Sequence, residues 1–174
     1  MGSKNKLKRF RENDTFSNVI QPKRKEVLDG FSKKGNWHTF FNNNNPIVLE
    51  LGCGKGEYTI ALARKNPNIN YIGVDLKGAR FWRGAKTALE ENLTNVAFIR
   101  TQIELIDLLF SESEVDEIWI TFPDPQIKYT RTKHRLTNAE FLKKYHHVLK
   151  PEGIVNLKTD SEFMHGYTLG LLHG

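Results

Sequence analysis

The segment Val48-Leu49-Glu50-Leu51-Gly52-Cys53-Gly54-Lys55-Gly56 sets one carboxylate directly before a run of alternating glycines. Glycines are needed where a chain turns sharply and a ligand must approach the backbone. A lone Gly-x-Gly would serve a tight structural turn equally well. A nicotinamide site would show Gly-x-Gly-x-x-Gly, with a pyrophosphate at the helix N-terminus. Here the third glycine, Gly56, comes one residue early, and Glu50 would repel a pyrophosphate. The same carboxylate suits a ligand with a cationic amino group and a sulfonium. Asp75, nineteen residues after Gly56, ends the next apolar run. An acid there accepts hydrogen bonds from ribose hydroxyls. The competing reading of Asp75 is a helix N-cap.

A second constellation is Ile120-Thr121-Phe122-Pro123-Asp124-Pro125. Proline on both sides leaves Asp124 little conformational freedom. A rigid turn carrying a solvated aspartate would look the same. The acid-free cluster that follows favours a role in binding: Lys128, Arg131, Lys133 and Arg135, with Tyr129 and His134 interleaved. Residues 1–25 hold eight bases against Glu12 and Asp14, which accounts for the whole net charge of +6. Both basic regions read as phosphate-contacting surfaces, against the plainer alternative of a solvated tail and a solvated loop.

Two residue types carry less. Cys53, the only cysteine, sits inside the glycine turn. A nucleophilic role would need exposure and an activating neighbour, so a small loop filler is the better reading. The six histidines show no metal-ligand spacing, and no metal is expected.

These residues need elements to hold them in register. Residues 1–25 read as a basic arm, disordered without a partner. Residues 26–45 end in Asn42-Asn43-Asn44-Asn45-Pro46, a loop that stops before the first strand. Short apolar runs then follow at 47–51, 71–74, 96–99, 118–122 and 154–157, alternating with candidate helices near 56–65, 79–92, 102–110, 137–149 and 161–172. Continuous apolar runs without polar alternation belong to strands buried on both faces. The expected architecture is therefore α/β, a mostly parallel sheet with helices on both faces. A lead-in of residues 1–45 precedes a domain of residues 46–174. In such sheets, ligands bind beyond the carboxyl ends of the strands. Glu50, Asp75, Gln102, Asp124 and Asp160 recur at or just past those ends.

Size and composition set the outer limits. At 174 residues the chain is about one domain long, with 39% hydrophobic and 26% charged residues. It lacks an apolar run long enough to span a membrane, and its basic start has no secretory core. One cysteine fits a reducing cytoplasm. A monomer or homodimer is expected.

Glu50-x-Gly52-x-Gly54-x-Gly56 resembles the first motif of the Rossmann-like, class I S-adenosylmethionine-dependent methyltransferases. Phe-Pro-Asp-Pro plus a basic run, behind that turn, resembles the bacterial tRNA (guanine-N7-)-methyltransferases over about residues 47–160. That family commonly reads Phe-Pro-Asp-Pro-Trp-x-Lys, then Arg-His-x-Lys-Arg-Arg. Phe122 to Pro125, Lys128, Lys133 and Arg135 match. Gln126 stands where tryptophan is usual, Thr130-Arg131 replaces Arg-His, and His134 replaces one arginine. The resemblance implies methyl transfer from S-adenosyl-L-methionine, leaving S-adenosyl-L-homocysteine, to N7 of guanine 46 in the tRNA variable loop. It implies a cofactor pocket of Glu50, Gly52, Gly54, Gly56, Asp75, Gln102 and Asp124. From the chemistry of guanine N7, Asp124 is also read as the catalytic residue, holding the base through its N1–H and exocyclic amine. Lys128 and Asp160 would contact the substrate, with Lys133 and Arg135 supplying phosphate contacts.

Class I methyltransferases close their sheet with two further strands after the fifth, and the tRNA family adds a Thr-x-Phe/Tyr-Glu-like segment. The sequence to Gly174 holds neither, so the fifth strand is expected as an exposed edge in a truncated, partly ordered or self-associating chain. Two readings compete with the leading one. A class I methyltransferase with another acceptor would leave Phe-Pro-Asp-Pro and the basic run unexplained. The other is a non-catalytic RNA-binding module on the same scaffold.

Overall fold

A computed structural model describes residues 2–174 of the chain. Six strands form one all-parallel sheet: β1 (Val19–Ile20), β2 (Ile47–Leu51), β3 (Asn70–Asp75), β4 (Val96–Arg100), β5 (Val115–Thr121) and β6 (Leu149–Lys158). Their spatial order is β1-β4-β3-β2-β5-β6. The chain therefore moves outward from β2 through β3 to β4, then crosses back to β5. The switch in direction lies between β2 and β5, where such sheets open a crevice for ligands.

Alternate residues along each central strand enter different cores. Ile47, Leu49, Leu51, Ile72, Val74, Ala97 and Ile99 join one buried cluster. Val48, Tyr71, Val96 and Phe98 join the other. Helices α2 (Arg24–Gly30), α3 (Trp37–Phe41), α6 (Ile106–Leu109) and α7 (Ala139–Val148) supply the first cluster with Val27, Trp37, Leu109 and Tyr145. Helices α4 (Glu57–Lys65) and α5 (Gly78–Glu90) supply the second with Ile60, Phe81 and Ala85. Layers on both faces explain why the strands lack polar alternation.

The N-terminal residues depart from the expected disordered arm. Helix α1 (Ser3–Asn13) lies along α5, and β1 adds a parallel edge strand beside β4. Polar and aromatic contacts hold α1, with no long apolar stripe. Asn13 Nδ2 donates to the Gly78 carbonyl at 3.0 Å, and Trp82 Nε1 donates to Glu12 Oε2 at 2.5 Å. The Arg9 guanidinium lies 4.4 Å from the Trp82 ring, and that of Arg100 lies 4.5 Å from Phe10. Such partners are far apart in sequence, which is why the segment reads as an arm.

Two later elements also differ. The helix expected over 102–110 divides into a 3-10 turn, Ile103–Leu105, and the short α6. Strand β6 starts at Leu149 and runs to Lys158, with its register against β5 shifting between Val115 and Glu117. It forms one edge of the sheet, with Ile154 59% exposed. The final helix, α8 (Glu162–His173), is capped by Ser161, whose hydroxyl accepts from the Met164 amide at 3.1 Å.

Candidate active site at the carboxyl rim of the sheet

Strand β2 carries the buried Glu50 one residue before its end and feeds a turn in which Gly52, Gly54 and Gly56 take φ of +74°, +56° and +78°. The Gly52 and Cys53 amides both donate to the Val74 carbonyl, at 2.8 and 3.1 Å, pinning the turn to β3. At Gly52, no heavy atom lies within 4 Å of where a Cβ would sit, so its surface faces open space. Gly56 has a different job. A Cβ there would stand 2.7 Å from Phe98, so its bareness lets α4 start against the sheet.

Glu50 is oriented by two threonines. Its Oε1 accepts from Thr59 N at 3.2 Å and Thr59 Oγ1 at 2.6 Å, and its Oε2 accepts from Thr121 Oγ1. Burial raises its carboxyl above the ordinary range, the three donors oppose that shift, and the Asp75 charge adds to it. The result is a fixed acceptor group under the turn, tied to both α4 and β5. Asp75, at the end of β3, accepts from Gly54 N through Oδ2 and from Lys77 N through Oδ1, each at 2.9 Å. One lone pair on each oxygen remains for a ligand. Cys53 is buried beside them, and burial, with the Asp75 and Glu50 charges, pushes its thiol well up. A protonated, enclosed thiol is a loop filler rather than a nucleophile.

Glu50, Gly52, Gly54 and Asp75 line a cleft of about 490 Å³ together with Tyr58, Arg80, Thr121 and Phe122. Gln102 stands apart from it. It lies in a neighbouring hollow of about 680 Å³ with Leu76, Arg100 and Arg24, and its Oε1 accepts from Arg24 Nη1 at 2.6 Å. Asp75 and Leu76 are consecutive, so the two hollows flank the tip of β3.

Past β5 the chain turns at Phe122, whose φ of +47° is costly for a bulky side chain. Its amide donates to the Lys158 carbonyl at 2.7 Å, fastening the turn to the end of β6. Asp124 is exposed on this turn, and its Oδ1 accepts from Gln126 N at 3.1 Å. Lys128 and Lys133 are exposed around the 3-10 segment Tyr129–His134, and Asp160 is exposed just beyond β6. Arg135 is not on that surface. It is 5% exposed, and its guanidinium donates to the carbonyls of Gln126 at 3.0 Å and Ile127 at 3.2 Å. The same group packs 4.8 and 4.6 Å from the Phe163 and Tyr167 rings of α8. Its position is that of a brace holding the Lys128 loop against α8.

Several contributors carry no motif of their own. Thr59 and Thr121 reveal themselves only through Glu50, and Arg80 only through the fold. Gly84 on α5 makes way for the glycine turn: a Cβ there would lie 2.9 Å from the Lys55 carbonyl. Among the described residues no group of three His, Cys, Asp or Glu could hold a metal ion. No described helix is long and apolar enough to cross a membrane.

A family model described as putative methyltransferase matches residues 44–172. A tRNA (guanine-N(7)-)-methyltransferase from Christiangramia forsetii is 73% identical over 100% of this chain and 79% of its own. One of the same name from Porphyromonas gingivalis is 52% identical over 91% of this chain, which covers 66% of that relative. Among solved structures, a 16S rRNA (adenine(1408)-N(1))-methyltransferase from Catenulisporales acidiphilia aligns with TM-score 0.54 and 19% identity, covering 71% of this chain and 56% of that one. An aminoglycoside resistance methyltransferase aligns with TM-score 0.55 and 18% identity, over 87% of this chain and 68% of its own. Those structural likenesses establish the class I methyltransferase architecture. Sequence identity along the whole length goes further: the chain belongs to the tRNA (guanine-N(7)-)-methyltransferase family.

Proposed function

We propose that this chain transfers a methyl group from S-adenosyl-L-methionine to N7 of a guanine in tRNA, guanine 46 of the variable loop. The observation that carries the reading is the convergence of Glu50, Asp75 and the open face of Gly52 on one cleft, directly beside the Phe122–Pro125 turn. The names of the relatives support the acceptor.

The cleft suits such a cofactor. Three carboxylates, Glu50, Glu57 and Asp75, line it against Lys55 and Arg80, an acid excess that favours a cationic ligand over a pyrophosphate, and Asp75 retains acceptor capacity for a ribose. Glu50, Gly52, Gly54 and Asp75 would hold it, with Gly56 seating the turn on the sheet, Gln102 in the adjoining hollow beyond the tip of β3, and Asp124 outside the cleft on the turn that follows β5. When bound, S-adenosyl-L-methionine supplies an electrophilic methyl group on a sulfonium.

The remaining chemistry is positional. Guanine N7 carries a free lone pair on the major-groove edge and needs no deprotonation before it attacks. The residues must therefore align the base and exclude competing poses, a contribution that can reach several kcal/mol. Asp124, displayed on its braced turn, accepts from the guanine N1–H and exocyclic amine. It also offsets the positive charge that develops on the ring. Asp160 assists from the end of β6. Lys128 and Lys133 meet phosphates, and Arg135 fixes the loop that carries Lys128. The target base leaves its stack, or is already exposed in a loop, before it reaches this rim.

The test is incubation of the chain with labelled S-adenosyl-L-methionine and unmodified tRNA, followed by chemical cleavage at 7-methylguanosine. Cleavage at position 46 is expected. Labelling of another base or of protein, or no labelling by a chain that includes the relatives' full length, rejects the reading.

A further inference from the structure

Beside the Lys128 loop runs a groove of about 560 Å³, lined by Ile127, Tyr129, Arg135, Phe163, Gly166 and Tyr167, with Glu162 as its one acid. Its floor is built. Phe163 and Tyr167 lie one helical turn apart on α8 with rings 13° from parallel, bridged by the buried Arg135 guanidinium. Its wall is free. Tyr129 is 88% exposed and Ile127 is 63% exposed, so neither contributes its apolar surface to the core. The surrounding segment 126–135 has no acid and presents Lys128, Arg131, Lys133 and His134 outward.

An exposed ring beside an aromatic floor, ringed by bases, matches how proteins hold unstacked nucleotides: stacking for the base, cations for its phosphate. A peptide segment would gain little from the cations, and a phosphate alone would gain nothing from the rings. We propose that this groove takes a nucleobase of the tRNA other than the methylated guanine, stacked on Tyr129. The inference rests on the reading of the chain as a tRNA-binding enzyme, and it names a subsite that reading does not require.

Tyr129→Ala, Tyr129→Phe and Gly166→Leu test it in the full chain, with unmodified tRNA as the probe and binding followed across a salt series. A side chain at Gly166 meets no heavy atom within 4 Å, so leucine fills the groove without disturbing α8. The dissociation constant is expected to rise about tenfold for Tyr129→Ala and Gly166→Leu, and to stay within about twofold for Tyr129→Phe. The slope of log affinity against log salt stays at the parent value, because no phosphate contact is lost. Affinity for S-adenosyl-L-methionine and the sedimentation coefficient are also unchanged. Parent-like binding by Tyr129→Ala overturns the subsite and leaves the enzyme's function standing. A changed salt slope overturns it in favour of a phosphate contact, and altered sedimentation in favour of a second protein chain in the groove. Failure of the parent chain to bind tRNA removes the function and the subsite together.

Discussion

The Gly54 amide lies 2.9 Å from Oδ2 of Asp75, so the glycine turn and the tip of β3 move as one unit. Asp75 therefore has two tasks, shaping the turn and receiving the ribose. Asn at this position keeps one carbonyl oxygen, which cannot serve Gly54, Lys77 and two hydroxyls together. Asp75→Asn is expected to weaken S-adenosyl-L-methionine binding at least about tenfold, near 1.4 kcal/mol, as measured by calorimetry. Parent-like affinity would remove Asp75 from the cofactor site.

Glu50 offers a pH signature. Its carboxyl is raised by burial, so the folded chain binds a proton more tightly there than the unfolded chain does. Between the ordinary carboxylate value and the raised one, the native state carries more protons. Stability from this group therefore declines as pH rises through that window, and returns as pH falls toward the unfolded value. Gln can keep the network: its oxygen accepts from Thr59, and its amide can donate to the Thr121 hydroxyl. Glu50→Gln should melt at or above the parent temperature near neutral pH, with the difference shrinking toward pH 4.5. Its cofactor affinity should fall, because the charge facing the cationic ligand is gone. A variant that melts progressively lower than the parent as pH rises would contradict the burial account.

The strands and the glycine turn were legible because their signals are local: continuous apolar runs, spaced glycines, an acid at the strand end. The turn that displays Asp124 was legible because two prolines frame it. The rest needed contacts between distant residues. Helix α1 depends on Asn13 finding Gly78 and on Glu12 finding Trp82, and nothing in residues 1–25 announces either. Arg135 looks like one more base in a basic run, yet the groups that bury it lie on α8, some thirty residues on. Gln102 sits after its strand as expected, but Arg24, from a segment with no clear periodicity, holds it in the hollow next to the glycine cleft.

Gly84 makes a stability prediction that propensity alone would invert. Ala is the better helix former, by roughly 1 kcal/mol, at an unconstrained helical site. Here its methyl would meet the Lys55 carbonyl and the Phe98 ring, each at 2.9 Å, and the backbone of Gly56 at 3.2 Å. Overpacking against backbone costs about 1–3 kcal/mol. Gly84→Ala should lower the melting temperature by roughly 2–10 °C and weaken cofactor binding as the turn shifts. A higher melting temperature would show that α5 can slide away from the turn.

Asp124 separates chemistry from binding. The cleft lining ends at Phe122, and Asp124 projects from the next turn outside it. Asp124→Ala should lower turnover on unmodified tRNA on the order of 10²-fold, while affinity for S-adenosyl-L-methionine changes by less than about threefold. Single-turnover kinetics and calorimetry provide the two readouts. A loss confined to cofactor affinity would make Asp124 a binding residue only.

Arg135 distinguishes a brace from a phosphate contact. Its fork holds the carbonyls of Gln126 and Ile127 while its plane packs on Phe163 and Tyr167. Lysine has a point charge and no plane, so it cannot do both. Arg135→Lys should lower the melting temperature by several degrees, since roughly 1–3 kcal/mol of hydrogen bonding and stacking is lost. It should also weaken tRNA binding several-fold by loosening the Lys128 loop. The salt slope of tRNA binding should nevertheless match the parent, because the number of phosphates neutralised is unchanged. Lys133→Ala provides the contrast: its exposed ammonium, if it meets a phosphate, reduces that slope by about 0.7–0.9 with little effect on melting. If Arg135→Lys were to melt like the parent, the guanidinium would not be bracing this loop.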